Sequence, residues 1–457
     1  MNELSSNFLR EHNARNVWHP MAHPAEMEST PPRIIVSGEG VHIVDLDGKR
    51  VVDAVGGLWN VNLGYSNDPI KQAIARQLAE LPYYSAFRGT TNPRLIELGA
   101  RLVDILKPEN MKRAMLTSGG SDSVETALRI SRQYWKVRGK ADKTKFLALK
   151  KGYHGTHFGG ASVNGNSNFR RAYEPLLPGV YHAACPLLYR NPFDATDPDK
   201  LADLCLAALE DEIKFQGADT IAAFIAEPVL GAGGVVVPPA GFMKKVRALL
   251  DRHDILMIAD EVITGFGRTG EWFGVRLDGF APDIMCIAKA ITSGYFPLGA
   301  CMVNEKIEQA FMTSDDALAS IYHGYTYSGH PVGCAAALAC LDETFARDLP
   351  GNSAREGGFI LDALHKLAGK HDTIGDVRGK GLMLAVEFVS DRKAKTPAGK
   401  TYMAALADAA YEAGALVRVS GNNMIMSPPL VLERRDSQAI VDAITHALTS
   451  VKLDPTK

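Results

Sequence analysis

The run Ile255-Leu256-Met257-Ile258-Ala259-Asp260-Glu261-Val262 decides the fold. Its apolar residues follow one another without alternation. That is the signature of a strand buried on both faces, as in parallel sheets covered by helices. Charged residues then stand at the carboxyl end of the run. The same grammar recurs on either side. Ile221-Ala222-Ala223-Phe224-Ile225-Ala226 leads into Glu227-Pro228, and Ile284-Met285-Cys286-Ile287-Ala288 leads into Lys289. Between the runs at 221 and 255, Phe242, Met243, Val246, Leu249 and Leu250 recur at helical spacing on one face. Phe146-Leu147-Ala148-Leu149 reads as a further strand. Met115-Leu116-Thr117 runs into Ser118-Gly119-Gly120-Ser121 and then a helix carrying Val124, Ala127, Leu128, Tyr134 and Trp135, stopping near Gly139. Strands alternating with helices predict an α/β domain with a mostly parallel sheet.

Working outward, Val41-His42-Ile43-Val44-Asp45 alternates like a strand before a turn at Asp47-Gly48. Short strands also stand out at Leu382-Met383-Leu384-Ala385-Val386 and Asn423-Met424-Ile425-Met426 among long helical patterns. The expected division is a large α/β domain over 61–330 and a smaller α+β domain built from 1–60 together with 331–457. The 457 residues are 46% hydrophobic and 22% charged, a composition suited to a large core. Fifty Lys+Arg against 52 Asp+Glu leave a formal charge of -2, which argues against a nucleic-acid or anionic-membrane surface. No run approaches the roughly 18 apolar residues of a membrane span, and Met1-Asn2-Glu3-Leu4 lacks the basic and apolar regions of a signal peptide. A soluble, cytoplasmic protein is expected. Cys185, Cys205, Cys286, Cys301, Cys334 and Cys340 stand singly, with no Cys-x-x-Cys pair, so neither a zinc site nor a disulfide framework is expected.

In open parallel sheets ligands collect beyond the carboxyl ends of the strands. Here those ends deliver Glu227, Asp260 and Lys289 to one region, together with the Ser118–Ser121 turn. Glycines before a helix start let a phosphate approach its free N–H groups. The same turn also reads as a plain strand-to-helix connection with Ser121 or Asp122 as N-cap. It is neither a nucleoside-triphosphate loop nor a nucleophile elbow, since both signatures lack a required residue. Lys289 ends a buried run, where an ammonium is costly. It either snorkels to water or serves as a low-pKa amine able to form an imine with a carbonyl cofactor. Asp260 lies about one β-α-β crossover earlier. A carboxylate there could keep a pyridine nitrogen protonated and make the ring an electron sink; alternatively Asp260 or Glu261 caps the next element. Tyr153, flanked by glycine, could stack on a flat cofactor or simply pack. His154 and His157 lack a completing third ligand and read as non-metal.

In order along nearly the whole chain stand Gly57-Leu58-Trp59-Asn60, Ser118-Gly119-Gly120-Ser121, Gly152-Tyr153-His154-Gly155, Glu227-Pro228, Asp260-Glu261-Val262-Ile263-Thr264-Gly265-Phe266-Gly267-Arg268, Ala288-Lys289 and His323-Gly324-Tyr325-Thr326-Tyr327-Ser328-Gly329-His330-Pro331. This series resembles the class III, fold type I pyridoxal-phosphate aminotransferases, and within them the ω-amine:pyruvate branch. The resemblance implies pyridoxal 5'-phosphate as cofactor, Lys289 as its imine-forming and proton-shuttling amine, and Asp260 as partner of the pyridinium. It implies Tyr153 and Val262 on the two ring faces and Gly119, Gly120 and Ser121 at the phosphate. Tyr325 and Thr326 belong to the same cofactor site, with Thr326 coming from the neighbouring subunit of a homodimer, or of a tetramer. Glu227 is a further cofactor-site residue. Trp59, Tyr153 and Phe87, the last from the partner chain, would wall the substrate pocket.

Ornithine- and 4-aminobutyrate-type relatives carry an arginine shortly before the late proline pair. Here Ile425 stands there, before Pro428-Pro429, and the nearby arginine is Arg418. That favours an ω-amine or ω-amino acid donor with pyruvate as acceptor. Arg418, just before the turn-like Ser420-Gly421-Asn422-Asn423, would be a mobile carboxylate receptor on a flexible loop. It also leaves Glu227 without the arginine partner it has in those relatives. Competing expectations are a decarboxylation-linked transamination, an aminomutase or, from Gly231-x-Gly233-Gly234, a dinucleotide-dependent oxidoreductase.

Overall fold

The computed structural model describes residues 5–453, so the opening Met1-Asn2-Glu3-Leu4 lies outside the described residues. Its centre is a seven-stranded sheet in the order Met111–Thr117, Gly299–Asn304, Ile284–Ile287, Leu256–Asp260, Ile221–Ala226, Lys145–Leu149 and Val180–Ala183. Gly299–Asn304 runs antiparallel to both of its neighbours, and the other six strands run one way. Every residue of Ile221–Ala226 and Leu256–Asp260 is buried, as unbroken apolar runs require. Helix Phe242–Arg252 buries all five residues expected on its inner face. Helix Gly120–Val137 likewise buries Val124, Ala127, Leu128, Tyr134 and Trp135.

Two strand ends differ from expectation, each by one residue. Asp260 is the last rung of its strand, in register with Cys286, so its backbone is held by the ladder. The neighbouring strand stops at Ile287, and Lys289 opens a short 3-10 turn, Lys289–Thr292.

The rest of the chain forms two smaller sheets. Ile35–Glu39, His42–Asp45 and Arg50–Asp53 are joined by Ala415–Leu416, parallel to Arg50–Asp53, so segments from both ends of the chain share one sheet. Ile374–Lys380, Met383–Asp391, Asn423–Met426 and Arg418–Ser420 make the other path, with Thr396–Pro397 paired on Met383–Asp391. Helix Pro331–Ala346 is buried nearly all round. Cys334, Ala337 and Leu341 enter the core of the large sheet, while Ala336 and Cys340 enter the core of the smaller ones. Small residues on two faces let this helix lie close to both. Among the described residues no helix is long and apolar enough to cross a membrane.

Trp135 anchors one face of the large sheet. It is 1% exposed, clusters with Phe146, Ala222 and Ile258, and its Nε1 donates to the Ala222 carbonyl at 2.8 Å. Trp135→Ala should therefore cost about 3–5 kcal/mol, mostly lost packing. Trp135→Phe, which fills much of the space but leaves that carbonyl unpaired, should cost about 1–3 kcal/mol. Denaturant midpoints measure both; equal losses would mean that the hydrogen bond, not packing, carries the site.

Candidate active site

The strand ends open on a cavity of about 390 Å³. Ser118, Gly119, Gly120, Ser121, Tyr153, His154, Glu227, Asp260, Val262 and Lys289 line it, with Leu58, Asn60, Phe296 and Leu298 on the remaining walls. The structure thus gathers residues spread over most of the chain into one place.

Helix Gly120–Val137 starts at this cavity with Gly119 as N-cap and no side-chain cap, which corrects the expectation of Ser121 or Asp122 in that role. Asp122 is otherwise engaged. Its carboxylate accepts the Ser118 N–H at 2.9 Å and pairs with His157 Nε2 at 2.7 Å. Among the described residues nothing accepts from the N–H groups of Gly120, Ser121 or Asp122. Those donors, at the positive end of an 18-residue helix, form an anion site. Gly120 is required by contact: a Cβ there would sit 2.8 Å from Val262 Cγ1, whereas one at Gly119 would meet nothing within 4 Å.

Asp260 and Glu261, open alternatives in the sequence, divide the work. Glu261 turns away from the cavity. It accepts from Thr264 Oγ1 and from the N–H groups of Gly274 at 2.9 Å and Val275 at 2.7 Å, capping the turn Gly274–Leu277. Asp260 faces the cavity. Its Oδ2 meets His154 Nδ1 at 2.8 Å and its Oδ1 accepts the Val262 N–H at 3.1 Å. His154 is the functional residue that sequence reasoning missed. Its imidazole is turned to a carboxylate 106 positions later, a pairing that no local spacing announces.

Lys289 has φ 48°, in the left-handed region that a long side chain rarely adopts. Lys289 is half-buried and lines the cavity. Burial pushes its pKa down to about 8, while Asp260 and Glu227 pull the other way. A neutral amine beside a carboxylate suits imine chemistry.

Tyr153 lies on the wall, its ring edge-on to Phe169 with centroids 4.9 Å apart. Glu227 is also on the wall, held by two backbone donors, Tyr153 N–H at 3.0 Å and Gly231 N–H at 2.8 Å. Gly231-x-Gly233-Gly234 is therefore no dinucleotide turn: it folds back across an isolated bridge between Leu230 and Val236.

Two expected placements need correction. Trp59 does not line the cavity. Gly56 and Gly57 both take positive φ and turn Leu58 outward, while Trp59 packs behind the wall with Val229, Ile263, Met383 and Ile425. Arg418 is not on a loop but in the strand Arg418–Ser420, in register with Ile425. Opposed residues share a face, so Arg418 stands over the Ile425 side that packs toward Ile263 at the cavity wall. The turn beyond it is tied down, with Asn422 Nδ2 donating to the Phe388 carbonyl at 2.8 Å and Arg378 to Asn423 Oδ1 at 2.6 Å. Phe87 and Thr326, expected at the neighbouring subunit's cavity, lie outside this chain's own, and so does Tyr325. Phe87 is 53% exposed, Tyr325 Oη reaches the Asp122 carbonyl at 3.2 Å, and the Thr326 carbonyl accepts from Tyr83.

The family description aminotransferase class-III matches residues 24–448. The chain is 37% identical over 429 residues to the putrescine–pyruvate aminotransferase of Pseudomonas aeruginosa, covering 94% of this chain and 92% of that one. An amine transaminase from an uncultivated Pseudomonas species, solved in its PLP-bound form, superposes with a TM-score of 0.94 at 48% identity, covering 95% of this chain and 99% of that chain. An (S)-enantioselective omega-transaminase from Thermomicrobium roseum gives 0.94 at 37% identity, covering 98% and 99%. The chain belongs to the class III aminotransferases. It is a pyridoxal-phosphate-dependent enzyme of fold type I, as that family is.

The residues present fit that cofactor. It needs an amine for its aldehyde, an anion for its ring nitrogen and donors for its phosphate. The cavity offers Lys289, Asp260 backed by His154, and the uncapped helix start. In protein freed of cofactor, acylation of Lys289 should rise with pH through a midpoint near 8, against about 10.4 for an ordinary lysine. Since Asp260 favours the ammonium, Asp260→Asn should move that midpoint lower. Peptide mapping across a pH series reads both, and an ordinary lysine midpoint would refute the buried-amine assignment.

Proposed function

We propose that the enzyme moves an amino group from an ω-amine or ω-amino acid to pyruvate in two half-reactions, as a cytoplasmic homodimer. The observation that carries the acceptor side is Arg418. Among the described residues it makes no ion pair or side-chain hydrogen bond, yet it stands close enough to Tyr153 and Lys289 to act on their charges. A fixed buried arginine would be stranded when a donor without a carboxylate binds, at a cost of several kcal/mol. One at the cavity's rim can turn to water instead. The names of the putrescine–pyruvate and omega-transaminase relatives agree with this reading.

When bound, pyridoxal phosphate supplies an electron sink for the carbon that loses its proton. The chain's own residues do the rest. Lys289 would hold the cofactor through its Nζ, and its free amine would be the base that takes and returns the substrate proton. Asp260 holds the proton on the ring nitrogen, and His154 holds Asp260. Gly119, Gly120 and Ser121 bind the phosphate through the helix start, while Tyr153 and Val262 confine the ring. Residues 61–330 would then be the cofactor domain, with 1–60 and 331–457 as the smaller one.

If Arg418 receives the carboxylate, Arg418→Ala should raise the apparent KM for pyruvate by about 10- to 100-fold, the scale of a charge-assisted hydrogen bond. The half-reaction with 1-phenylethylamine should change less than about threefold on the same scale. Half-reactions followed by cofactor absorbance separate the two; equal losses would assign Arg418 to the fold.

The exposure of Phe87 and Thr326, away from their own cavity, supports a site completed by a second copy. Lys289→Ala and Thr326→Ala chains, each impaired alone, should then regain activity on mixing, because a mixed dimer holds one site with both defects and one with none. Full activity in a demonstrable monomer would refute the sharing.

A further inference from the structure

Four buried carboxylates elsewhere in this protein are matched by arginines, while Asp45 and Asp53 are held by tyrosine hydroxyls and backbone N–H groups. Glu109 pairs with Arg276 at 2.7 Å, Asp283 with Arg247 at 2.7 Å, Glu356 with Arg434 at 3.0 Å and Glu387 with Arg378 at 2.9 Å. Glu227 is as deeply buried, 3% exposed, and has no such partner among the described residues. Its two backbone donors leave lone pairs on both oxygens. Glu261, another buried acid without a cation among the described residues, has three donors and does not reach the cavity. Asp260 reaches it but is answered by His154. Among the described residues Glu227 is therefore the buried carboxylate on the cavity wall that has no ion-pair partner.

A carboxylate without an ion pair in such surroundings is expensive, and burial lifts its pKa to about 7 against the pull of His154. A ligand that brings its own cation removes that cost. We infer that Glu227 is a specificity-determining residue that receives the distal ammonium of an α,ω-diamine while the other amine reacts. The inference rests on the reading of this cavity as the donor site of a transaminase. It gives the cavity two recognition groups of opposite sign. Glu227 serves a cationic donor tail and Arg418 serves the carboxylate of the acceptor. The chain does not pair the two with each other, so each stays available to its substrate.

The test compares 1,4-diaminobutane with 1-aminobutane, which lacks only the distal amine, using the cofactor-loaded enzyme and pyruvate. The wild-type kcat/KM ratio should favour the diamine by at least about tenfold, the scale of a charge-assisted hydrogen bond. Glu227→Gln should slow both amines, since the residue belongs to the wall, but bring the ratio close to one. Glu227→Asp, which restores the charge, should recover part of the preference. Calorimetric binding of the two amines to Lys289→Ala protein, which cannot turn over, should show the same order. A wild-type ratio below about threefold, or a ratio untouched in both variants, overturns the assignment while leaving transamination intact. If Glu227→Gln loses its cofactor, the wild-type ratio and Glu227→Asp decide. Failure of both amines to pass their nitrogen to pyruvate would overturn the transaminase reading, and this inference with it.

Discussion

The hydrogen bond between His154 Nδ1 and Asp260 Oδ2, 2.8 Å long and closed to water, is the interaction on which the site depends. Six strands running one way bring their carboxyl ends to a single edge, and the apolar interiors of the central strands push charge out to the strand ends. A carboxylate there must be answered or it will take up a proton. His154 answers Asp260 from the loop beyond the next strand but one, and the Asp260 backbone is itself locked in register with Cys286. With Asp260 fixed, its second oxygen takes the Val262 N–H, and Val262 lies under Gly120 at a distance only glycine permits. One anchored acid thus sets the height of the cavity between the strand ends and the helix start.

The same constraint sorts the neighbouring charges. Glu261 is satisfied by three donors and becomes a structural cap. Glu227 lines the cavity with one backbone donor on each oxygen and no ion pair among the described residues. Among the described residues Lys289 has no counter-ion within pairing distance, and burial drives it toward the neutral amine. Perturbed groups at a common cavity are the physical mark of a site built for proton transfer. Glu109, Asp283, Glu356 and Glu387, each clasped by an arginine, carry no comparable tension.

Much of this was legible in the sequence because the central strands are unbroken apolar runs whose ends are marked by Glu227, Asp260 and Lys289. The helical faces of Val124–Trp135 and Phe242–Leu250 were equally plain. What failed were features set by distant contacts or by single backbone dihedrals. Whether Leu58 or Trp59 meets the cavity turns on the positive φ of Gly56 and Gly57, which periodicity does not register. Arg418 was read as a loop residue from the glycine and asparagines after it. Those residues make the tight hairpin turn that pairs Ser420 with Asn423, and a strand precedes it. His154 looked like an unpaired histidine because its acid comes from another strand.

The strand placement of Arg418 changes how a carboxylate receptor can move. A loop could carry the whole residue outward, but here the Arg418 backbone is in a ladder and the hairpin turn is pinned by Asn422 and by Arg378. Any exchange between substrate and water must come from rotations within the side chain. Arg418–Ser420 lies at the edge of its sheet, with one side unpaired, so such rotations meet no neighbouring strand. Arginine suits that arrangement. Its long stem packs along apolar surface such as Ile425 in either position, and its guanidinium stays charged even where burial lowers its pKa. A lysine would lose the planar fork that grips a carboxylate, and a shorter residue could not span cavity and solvent from a fixed backbone.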